Sequence, residues 1–322
     1  MKITFLGAGA YGTALSRVAN YNGHETKFYD PFKFPDISLD SAIAGADAVV
    51  YVAPSEKAPE ILPHLDKKAP LICASKGFLS QKPFSEFTDF SVLSGASFAD
   101  SILKTLTDTD TADATETNTA DATETADAGD STPIKLTGTS DLITQIFSTE
   151  EIIIEHTTDV AGVLLCGALK NIYAIGAGYH SSEPSMAFLE NALSEMAQVL
   201  ETNGADKETL RLSCGAADLV LTCSDSSRNF RYGQALKKSH QDTTAQKPEP
   251  TDSTTAQKPK ITNAMSAIKP ELTEGVSAIL HLKDYPDFKI PRNATTLKDI
   301  IKLVKETAPI AKKPQKEENA TK

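Results

Sequence analysis

The chain has 322 residues, of which 40% are hydrophobic, and a formal net charge of -11. This length and this apolar content exclude a wholly disordered chain and favour two folded domains. The acidic excess argues against a nucleic-acid partner, because a face that binds nucleic acid needs clustered basic residues.

The first hundred residues alternate short apolar runs with stretches of helical length. Residues 3–6 form an apolar run that ends in glycine, residues 11–21 have helical periodicity, and residues 26–29 are rich in β-forming side chains. Further apolar runs follow at residues 47–52, 70–74 and 90–94. Because parallel strands need crossover connections of this length, the pattern predicts an α/β domain with a parallel sheet.

Two internal segments and the end of the chain have biased composition. Residues 105–133 consist almost entirely of Thr, Ala, Asp and Glu and contain no aromatic side chain, while residues 239–260 repeat Thr-Thr-Ala-Gln-Lys-Pro. Residues 310–322 are rich in Lys and Glu. Such sequences cannot bury enough apolar surface to form a core, so we predict two disordered insertions and a disordered tail.

The segments between the biased stretches predict helices. Residues 159–177, 188–202 and 207–213 have helical periodicity and almost no strand signal. We therefore predict an α/β fold in which a Rossmann-like dinucleotide-binding domain, residues 1–155, precedes an all-helical substrate domain, residues 156–309.

The cysteines and the apolar segments indicate the compartment. Four cysteines stand singly in apolar surroundings, without the close pairs of metal sites or small disulfide frameworks: Cys73, Cys166, Cys214 and Cys223. We expect buried thiols in a reducing cytosol and no metal site. Since the first apolar run is too short for a secretory signal, and no later run reaches the length of a membrane span, we expect a cytoplasmic protein without a membrane span.

A glycine motif follows the first predicted strand and opens the first predicted helix. In Gly7-Ala-Gly-Ala-Tyr-Gly12, the first glycine allows a tight turn, Gly9 lets the backbone approach a pyrophosphate, and Gly12 permits close packing of helix on strand. The alternative is a glycine-rich turn without a ligand. The strand–helix–strand context favours a dinucleotide site.

Asp30 lies about twenty residues beyond the glycines. A carboxylate there accepts hydrogen bonds from the adenosine ribose and repels a 2′-phosphate, which favours NAD over NADP. Asp30 also suits the start of a turn with Pro31, and Lys27 and Lys33 nearby weaken the discrimination. We therefore predict NAD as the cofactor, with NADP as the alternative.

Three polar clusters interrupt apolar or helical surroundings. They are Ser75-Lys76-Gly77, Gly167-Ala-Leu-Lys170-Asn171, and Ser226-Ser227-Arg228-Asn229 after Asp218-Leu-Val-Leu-Thr-Cys223. Together with Gly7 to Gly12, Ser94-Gly-Ala-Ser-Phe-Ala99 and Glu274-Gly-Val276, they are short motifs of a match that extends over most of the chain outside the insertions. Through these motifs the chain resembles the bacterial type of NAD(P)-dependent glycerol-3-phosphate dehydrogenase.

The resemblance implies hydride transfer between sn-glycerol 3-phosphate and dihydroxyacetone phosphate, which supplies glycerol 3-phosphate for phospholipid synthesis. It also implies that Lys170 is the proton acceptor. The residues support that role, because Lys170 follows an apolar run and a lysine in a partly dehydrated cleft has a lowered pKa. Alone, a lysine on an amphipathic helix is more often solvated.

We predict further site residues partly from side-chain chemistry and partly from the resemblance. The arginine fork and the asparagine amide at positions 228 and 229 suit phosphate oxygens. The predicted substrate-binding residues are Lys76, Gly95, Ser97, Asp218, Ser227, Arg228 and Asn229. The predicted cofactor-binding residues are Gly7, Gly9, Ala10, Tyr11, Gly12, Asp30, Lys76, Ala99, Arg228 and Glu274.

The chain also departs from the family pattern. The family usually has proline where Ala96 stands and a longer glycine-rich loop where residues 178–184 run. Two alternatives therefore stay open: a catalytically silent dinucleotide-sensing protein, and a related dehydrogenase of another small hydroxy substrate. The expected partner is a small phosphorylated substrate, and the resemblance implies a homodimer.

Overall fold

The computed structural model describes residues 1–107, 132–245 and 273–307. The predicted tail and most of both predicted insertions lie outside these residues. At the start of each predicted insertion the chain is helical, since one helix continues to Thr107 and another to Ala245. Regular structure therefore continues further along the chain than composition indicates.

The strands form one seven-stranded sheet. They are β1 (Lys2–Leu6), β2 (Glu25–Tyr29), β3 (Ala48–Tyr51), β4 (Leu71–Cys73), β5 (Phe90–Ser94), β6 (Ile134–Gly138) and β7 (Ile152–His156). Their spatial order is β2-β1-β3-β4-β5-β6-β7, and the β5–β6 pair is antiparallel whereas all other neighbours are parallel. The order changes direction between β1 and β3, where open α/β sheets bind ligands.

The described helices fall into two groups. Those that accompany the sheet are α1 (Ala10–Tyr21), α2 (Leu39–Ile43), α3 (Ala58–Ile61), α4 (Ala99–Thr107) and α5 (Asp141–Phe147). Those that follow the sheet are α6 (Val160–His180), α7 (Met186–Thr202), α8 (Asp218–Thr222), α9 (Arg228–Ala245), α10 (Glu274–Leu280) and α11 (Thr295–Thr307). This arrangement confirms the predicted fold class, an α/β part followed by a helical part.

Some elements differ from the sequence-based expectation. Strands β6 and β7 were not individually predicted, and the antiparallel step between β5 and β6 departs from the parallel sheet that we expected. Residues 207–213 do not form an α-helix, because Lys207–Arg211 is a 3₁₀ turn. The predicted strands β1 to β5 are present, each with bounds within two residues of the expectation.

Helix α6 is the centre of the helical part. Residues 162–178 are all buried, since α7, α9, α10 and α11 pack around this helix. Among the described helices it is the one long and apolar enough to cross a membrane, but 89% of its apolar window is buried inside the fold. Its uniform apolarity is that of a core helix.

Helices α6 and α9 approach each other at backbone distance. A Cβ on Gly178 would lie 2.0 Å from the carbonyl oxygen of Phe230, and a Cβ on Gly233 would lie 2.0 Å from that of Ile175. Any side chain at either glycine would separate the two helices. This contact fixes the start of α9, where Arg228 stands, relative to Lys170 on α6.

A π-helical turn, Ser213–Ala217, leads directly into α8. Thr137 of β6 anchors this turn, because its Oγ1 accepts a hydrogen bond from the Cys214 N–H at 3.1 Å and lies 2.9 Å from Ser213 Oγ. The Ser213 N–H donates to Glu155 Oε2 of β7 at 2.7 Å. The turn is therefore tied to the sheet at Ser213 and Cys214, four to five residues before Asp218 begins α8.

Candidate active site

The glycine loop between β1 and α1 has the geometry that a dinucleotide needs. Gly7 has φ +114°, and a Cβ there would lie 2.8 Å from Ala53 N. A Cβ on Gly12 would lie 2.4 Å from Gly7 O, so both glycines are required by the fold itself. Gly9 differs, because a Cβ there would meet no atom within 4 Å.

The open space at Gly9 lies at the amino-terminal end of α1. Gly9 is the N-cap residue of this helix, no side chain caps it, and Ala10 is exposed at its first position. The free N–H groups and the positive end of the helix dipole favour an anion there. The loop thus fits the pyrophosphate of a dinucleotide, which would occupy the space that a Cβ at Gly9 would enter.

Replacing Gly9 by alanine is expected to weaken dinucleotide binding without weakening the fold. The backbone of Gly9 is extended, at φ -66° and ψ 175°, so alanine fits it and the free energy of unfolding should change by less than ~0.5 kcal/mol. The methyl group would block the approach of the phosphate, and we expect the Kd of NADH to rise at least about tenfold.

Urea unfolding and fluorescence titration with NADH measure the two effects separately. The contrasting variant is Gly12→Ala, whose Cβ meets Gly7 O and which should cost about 1–3 kcal/mol of stability. Unchanged NADH affinity in Gly9→Ala would place the dinucleotide elsewhere.

Asp30 holds the glycine loop. Its Oδ2 accepts the Ala8 N–H at 2.9 Å, and its Oδ1 accepts the N–H groups of Phe32 and Lys33 at 3.0 and 3.1 Å. The Lys33 ammonium donates to the Ala8 carbonyl at 2.5 Å. A carboxylate has about four acceptor positions, so about one is left for a ribose hydroxyl. Asp30 therefore fits both interpretations of the sequence, because it closes a turn and also lies beside the glycine loop.

Two lysines and one aspartate form a buried cluster above the sheet. Lys170 of α6 makes an ion pair with Asp218 Oδ1, and Lys76 Nζ lies 3.3 Å from Asp218 Oδ2. The exposed fractions of these side chains are 15% for Lys76, 5% for Lys170 and 1% for Asp218. Lys76 follows β4, so the cluster lies at the carboxyl ends of the strands, where we expected ligands to bind.

The surroundings separate the proton affinities of the two lysines. Burial, together with the neighbouring charge of Lys76, lowers the pKa of Lys170 from 10.5 to about 7, although Asp218 opposes the shift. Burial opposes the charge on Lys76 too, but the attraction of Asp218 outweighs it and raises the pKa of Lys76. Near neutral pH, Lys170 can therefore both accept and donate a proton, while Lys76 stays cationic.

The turn after β5 contributes polar groups beside Lys76. The Gly95 carbonyl accepts from Lys76 Nζ at 2.8 Å and from the Ser97 N–H at 2.9 Å. The hydroxyls of Ser75, Ser94 and Ser97 are buried and have no hydrogen-bond partner among the described residues. Unsatisfied buried hydroxyls call for an explanation, and a polar ligand beside Lys76 would provide one.

Asparagine side chains connect the helices around Lys170. Asn171 Nδ2 donates to the carbonyl of Lys76 at 3.0 Å, and Asn171 Oδ1 accepts from Asn229 Nδ2 at 3.0 Å. Asn229 Oδ1 in turn accepts the Gly275 N–H at 3.1 Å. Asn229 is thus largely engaged within the protein, and this chain of contacts joins α6, α9 and α10.

The amino-terminal ends of α9 and α10 hold the remaining predicted residues of this part. Arg228 is exposed and begins α9, while the buried Ser227 Oγ accepts the Phe230 N–H at 3.5 Å. Glu274 begins α10. These positions leave the Arg228 guanidinium open to a ligand.

Glu274 links the helical part to the sheet. Its Oε2 accepts from Ser55 Oγ at 3.0 Å, and beside it Glu56 Oε2 accepts from Ser277 Oγ at 3.0 Å. Burial and the neighbouring Glu56 raise the pKa of Glu274 to about 7, against the opposing effects of Ser55 and Arg228. Glu274 is therefore partly protonated near neutral pH.

Tyr11 lies in the first turn of α1, and Ala99 is the first residue of α4. Both side chains pack partly buried against the same cluster of core residues. The Tyr11 ring faces Lys76, with Nζ 5.0 Å from the ring centroid. The structure thus brings predicted residues of α1, α6, α8 and the turns after β4 and β5 to one edge of the sheet.

The four cysteines are free and buried, as predicted. Burial raises the pKa of Cys73 and of Cys223 to about 12. Such thiols stay protonated and act as small apolar side chains.

Comparison with known proteins identifies the family of this chain. The family model for the carboxyl-terminal part of NAD-dependent glycerol-3-phosphate dehydrogenase matches residues 159–288. Glycerol-3-phosphate dehydrogenase [NAD(P)+] of Shewanella baltica is 30% identical over 294 residues, which cover 76% of this chain and 80% of that relative. The chain belongs to the NAD(P)-dependent glycerol-3-phosphate dehydrogenase family.

Another relative and two solved structures are also similar to this chain. The Shewanella frigidimarina enzyme of the same name is 29% identical over 296 residues, covering 76% of this chain and 80% of its own length. The crystal structure of glycerol-3-phosphate dehydrogenase from Coxiella burnetii has a TM-score of 0.63 at 22% identity, over 95% of this chain and 98% of that one. The Plasmodium falciparum glycerol-3-phosphate dehydrogenase structure has a TM-score of 0.67 at 17% identity, over 95% and 92%. The family predicted by resemblance is confirmed.

Within this family member, several residues at the site were not predicted from the sequence. Asn171 and Ser94 stand inside the quoted motifs, but only the fold shows that they lie against Lys76 and Gly167. No sequence pattern indicated that Ser55 and Glu56 belong to the site, because their partners on α10 are more than two hundred residues away along the chain. The roles of all predicted site residues stay predictions.

Proposed function

We propose that this chain interconverts sn-glycerol 3-phosphate and dihydroxyacetone phosphate by NAD(P)-dependent hydride transfer, with Lys170 as the acid–base. The observation that carries the proposal is the buried cluster of Lys170, Asp218 and Lys76. Burial together with a second lysine gives Lys170 a pKa of about 7, which is the value expected of a group that exchanges protons near neutrality. Family membership supplies the substrate pair.

In the oxidation direction, the neutral amine of Lys170 accepts the proton of the substrate hydroxyl. The glycine loop would hold the pyrophosphate of the cofactor, whose nicotinamide would supply the hydride acceptor for the carbon that bears this hydroxyl. In the reverse direction, the Lys170 ammonium donates its proton to the carbonyl oxygen of dihydroxyacetone phosphate. Asp218 contacts both lysines and holds them at one place, while Lys76 keeps its charge and attracts the anionic substrate.

The phosphate of the substrate has a natural partner in Arg228. Its guanidinium is exposed at the amino-terminal end of α9, where the helix dipole adds to its charge. The hydroxyls of Ser94 and Ser97 offer further donors beside Lys76. Asn229 contributes mainly by holding Asn171 and α10 in place.

Absorbance of NADH and of NADPH, each mixed with dihydroxyacetone phosphate and purified protein, tests the proposal. We expect oxidation of the cofactor by the native chain and its loss in Lys170→Met. Binding of the cofactor without oxidation would favour the silent dinucleotide sensor. Oxidation with other small hydroxyketones but not with dihydroxyacetone phosphate would favour the related dehydrogenase. Neither alternative is supported by a specific observation in the fold.

The choice of cofactor depends on Lys33 as well as Asp30 in this proposal. Backbone N–H groups occupy most acceptor positions of Asp30, which weakens its repulsion of a 2′-phosphate. The Lys33 ammonium donates one hydrogen bond to the Ala8 carbonyl and has further N–H donors for a phosphate. We therefore expect the chain to use NADPH as well as NADH.

Replacing Lys33 by methionine is expected to lower the ratio of kcat/KM for NADPH to that for NADH about tenfold, since a charge-assisted contact to the 2′-phosphate is lost. Steady-state kinetics with each cofactor measures the ratio. The matched control is Lys27→Met, because Lys27 is an exposed lysine on β2 paired in register with Thr4. Equal changes for both cofactors, or an equal effect of the control, would contradict this role.

We also propose that the protein acts in the cytoplasm and as a homodimer, as its family resemblance implies. The buried free thiols support a reducing compartment. Light scattering coupled to gel filtration measures the oligomeric state.

A further inference from the structure

The acid–base cluster has more positive than negative groups. Lys76 and Lys170 both contact Asp218, and their side chains are at most 15% exposed. One carboxylate balances one ammonium, so one of the two lysines has to release its proton more easily than the other. What decides between them is their remaining contacts.

Those contacts differ in kind. Lys76 Nζ donates to the Gly95 carbonyl at 2.8 Å and faces the Tyr11 ring at 5.0 Å from its centroid. Within the described residues, Lys170 Nζ has neither a carbonyl nor a ring as partner. An ammonium over the face of an aromatic ring is stabilised by the electron density of that face.

We propose that Tyr11 is a positioning residue for the acid–base step: its ring and the Gly95 carbonyl together hold the positive charge on Lys76, which leaves Lys170 as the lysine that gives up its proton. This inference rests on the proposed function for its consequence in catalysis. It adds that the glycine loop, through Tyr11, helps to keep Lys76 cationic beside the reacting lysine.

The other groups around Lys170 do not offer an alternative cause. The titratable groups that face it are Asp218 from α8 and Lys76 after β4, and the thiol of Cys223 lies near it. Cys166, on α6 and near Asp218, has a pKa raised well above its usual range by its contact with Cys214 and by burial. Both thiols are neutral at working pH. The Tyr11 hydroxyl has no hydrogen-bond partner in the described structure, so the ring face is what reaches Lys76.

The test compares variants that change the ring in steps. Tyr11→Phe keeps the face, Tyr11→Phe with a fluorinated ring keeps the shape but withdraws electron density from the face, and Tyr11→Leu removes the ring. The reactivities of the Lys76 and Lys170 amines towards acetic anhydride are measured by mass spectrometry as a function of pH, without substrate or cofactor. This readout needs no turnover, so it stands even if the proposed reaction fails.

We expect the midpoint of Lys170 labelling to lie near pH 7 in the native chain and in Tyr11→Phe. It should stay there in the fluorinated variant and in Tyr11→Leu, whereas the rate of Lys76 labelling between pH 8 and pH 10, which follows the neutral fraction of that amine, should rise about tenfold. An unchanged rate of Lys76 labelling in the fluorinated variant, or an equal rise in Tyr11→Phe, would overturn the proposal.

Discussion

Replacing Lys170 by methionine is expected to lower kcat for glycerol 3-phosphate oxidation by about 10²–10⁴-fold, the contribution that a positioned general base makes. The thioether cannot accept the hydroxyl proton, whereas Asp218 and Lys76 keep their ion pair. Steady-state kinetics between pH 6 and pH 9 measures the loss. In the native chain, the same measurement should show kcat/KM falling below pH about 7, because protonated Lys170 cannot act as the base.

The same substitution is expected to stabilise the fold at neutral pH. Folding lowers the pKa of Lys170 from 10.5 to about 7, so between these values the unfolded chain binds a proton that the folded chain releases. Stability of the native chain therefore rises with pH across this window. The methionine variant lacks that dependence. Its advantage, on the order of 1–4 kcal/mol, should be largest at or below pH 7 and should shrink as pH rises.

Lys170→Arg is the matched control for charge. Arginine keeps a cation near Asp218 but does not lose its proton, so activity should be lost as in Lys170→Met. Urea unfolding of both variants at several pH values measures stability. If Lys170→Met kept kcat within tenfold of the native value, another group would have to be the base.

The amino-terminal half of the fold was predictable because its signals are local. The run that forms β1 ends directly at Gly7, and the helix that follows opens at the glycine motif, so strand, turn and helix are specified within about twenty residues. The φ of +114° at Gly7 is the backbone conformation for which glycine is the ordinary choice.

The antiparallel step in the sheet was not predictable in this way. Strand β6 follows a segment of biased composition, and β7 contains only the short apolar run Ile152-Ile-Ile. Periodicity shows that such runs suit a strand, but it does not give their direction, which is decided by pairing with β5. Helix α9 was missed for a related reason: its sequence is mostly polar, and it is held by close packing on α6.

The candidate site was also predictable only in part. Each residue of the cluster stands in a motif, yet Lys76 and Asp218 are 142 residues apart, and nothing local indicates that they meet. Thr137 ties the π turn before Asp218 to the sheet, and no motif in the sequence indicated this role. Motifs thus identified the reacting groups, whereas the contacts that set their proton affinities come from tertiary structure.

Replacing Asp218 by asparagine is expected to destabilise the fold by about 3–5 kcal/mol near pH 7, the cost of leaving buried charge without its partner. The side chain is 1% exposed and is the carboxylate that both lysines contact. An amide of the same shape fills the space but does not balance an ammonium. Urea unfolding at pH 7 measures the loss, and a cost below about 1 kcal/mol would mean that the lysines are not charged in the folded state.

The pH dependence of Asp218→Asn distinguishes charge from packing. Without the carboxylate, both lysines have lowered pKa values in the fold, so the unfolded chain binds more protons and stability should rise with pH towards 10.5, the ordinary value of lysine. A packing defect would leave the slope of the native chain unchanged, whereas loss of the carboxylate should make the slope steeper. Adding Lys170→Met to Asp218→Asn removes one of the two unbalanced charges, so the stability gained from Lys170→Met should be larger in Asp218→Asn than in the native chain. An equal gain in both backgrounds would show instead that Asp218 acts mainly through its hydrogen bonds, such as the contact between Oδ1 and Thr222 Oγ1 at 3.4 Å.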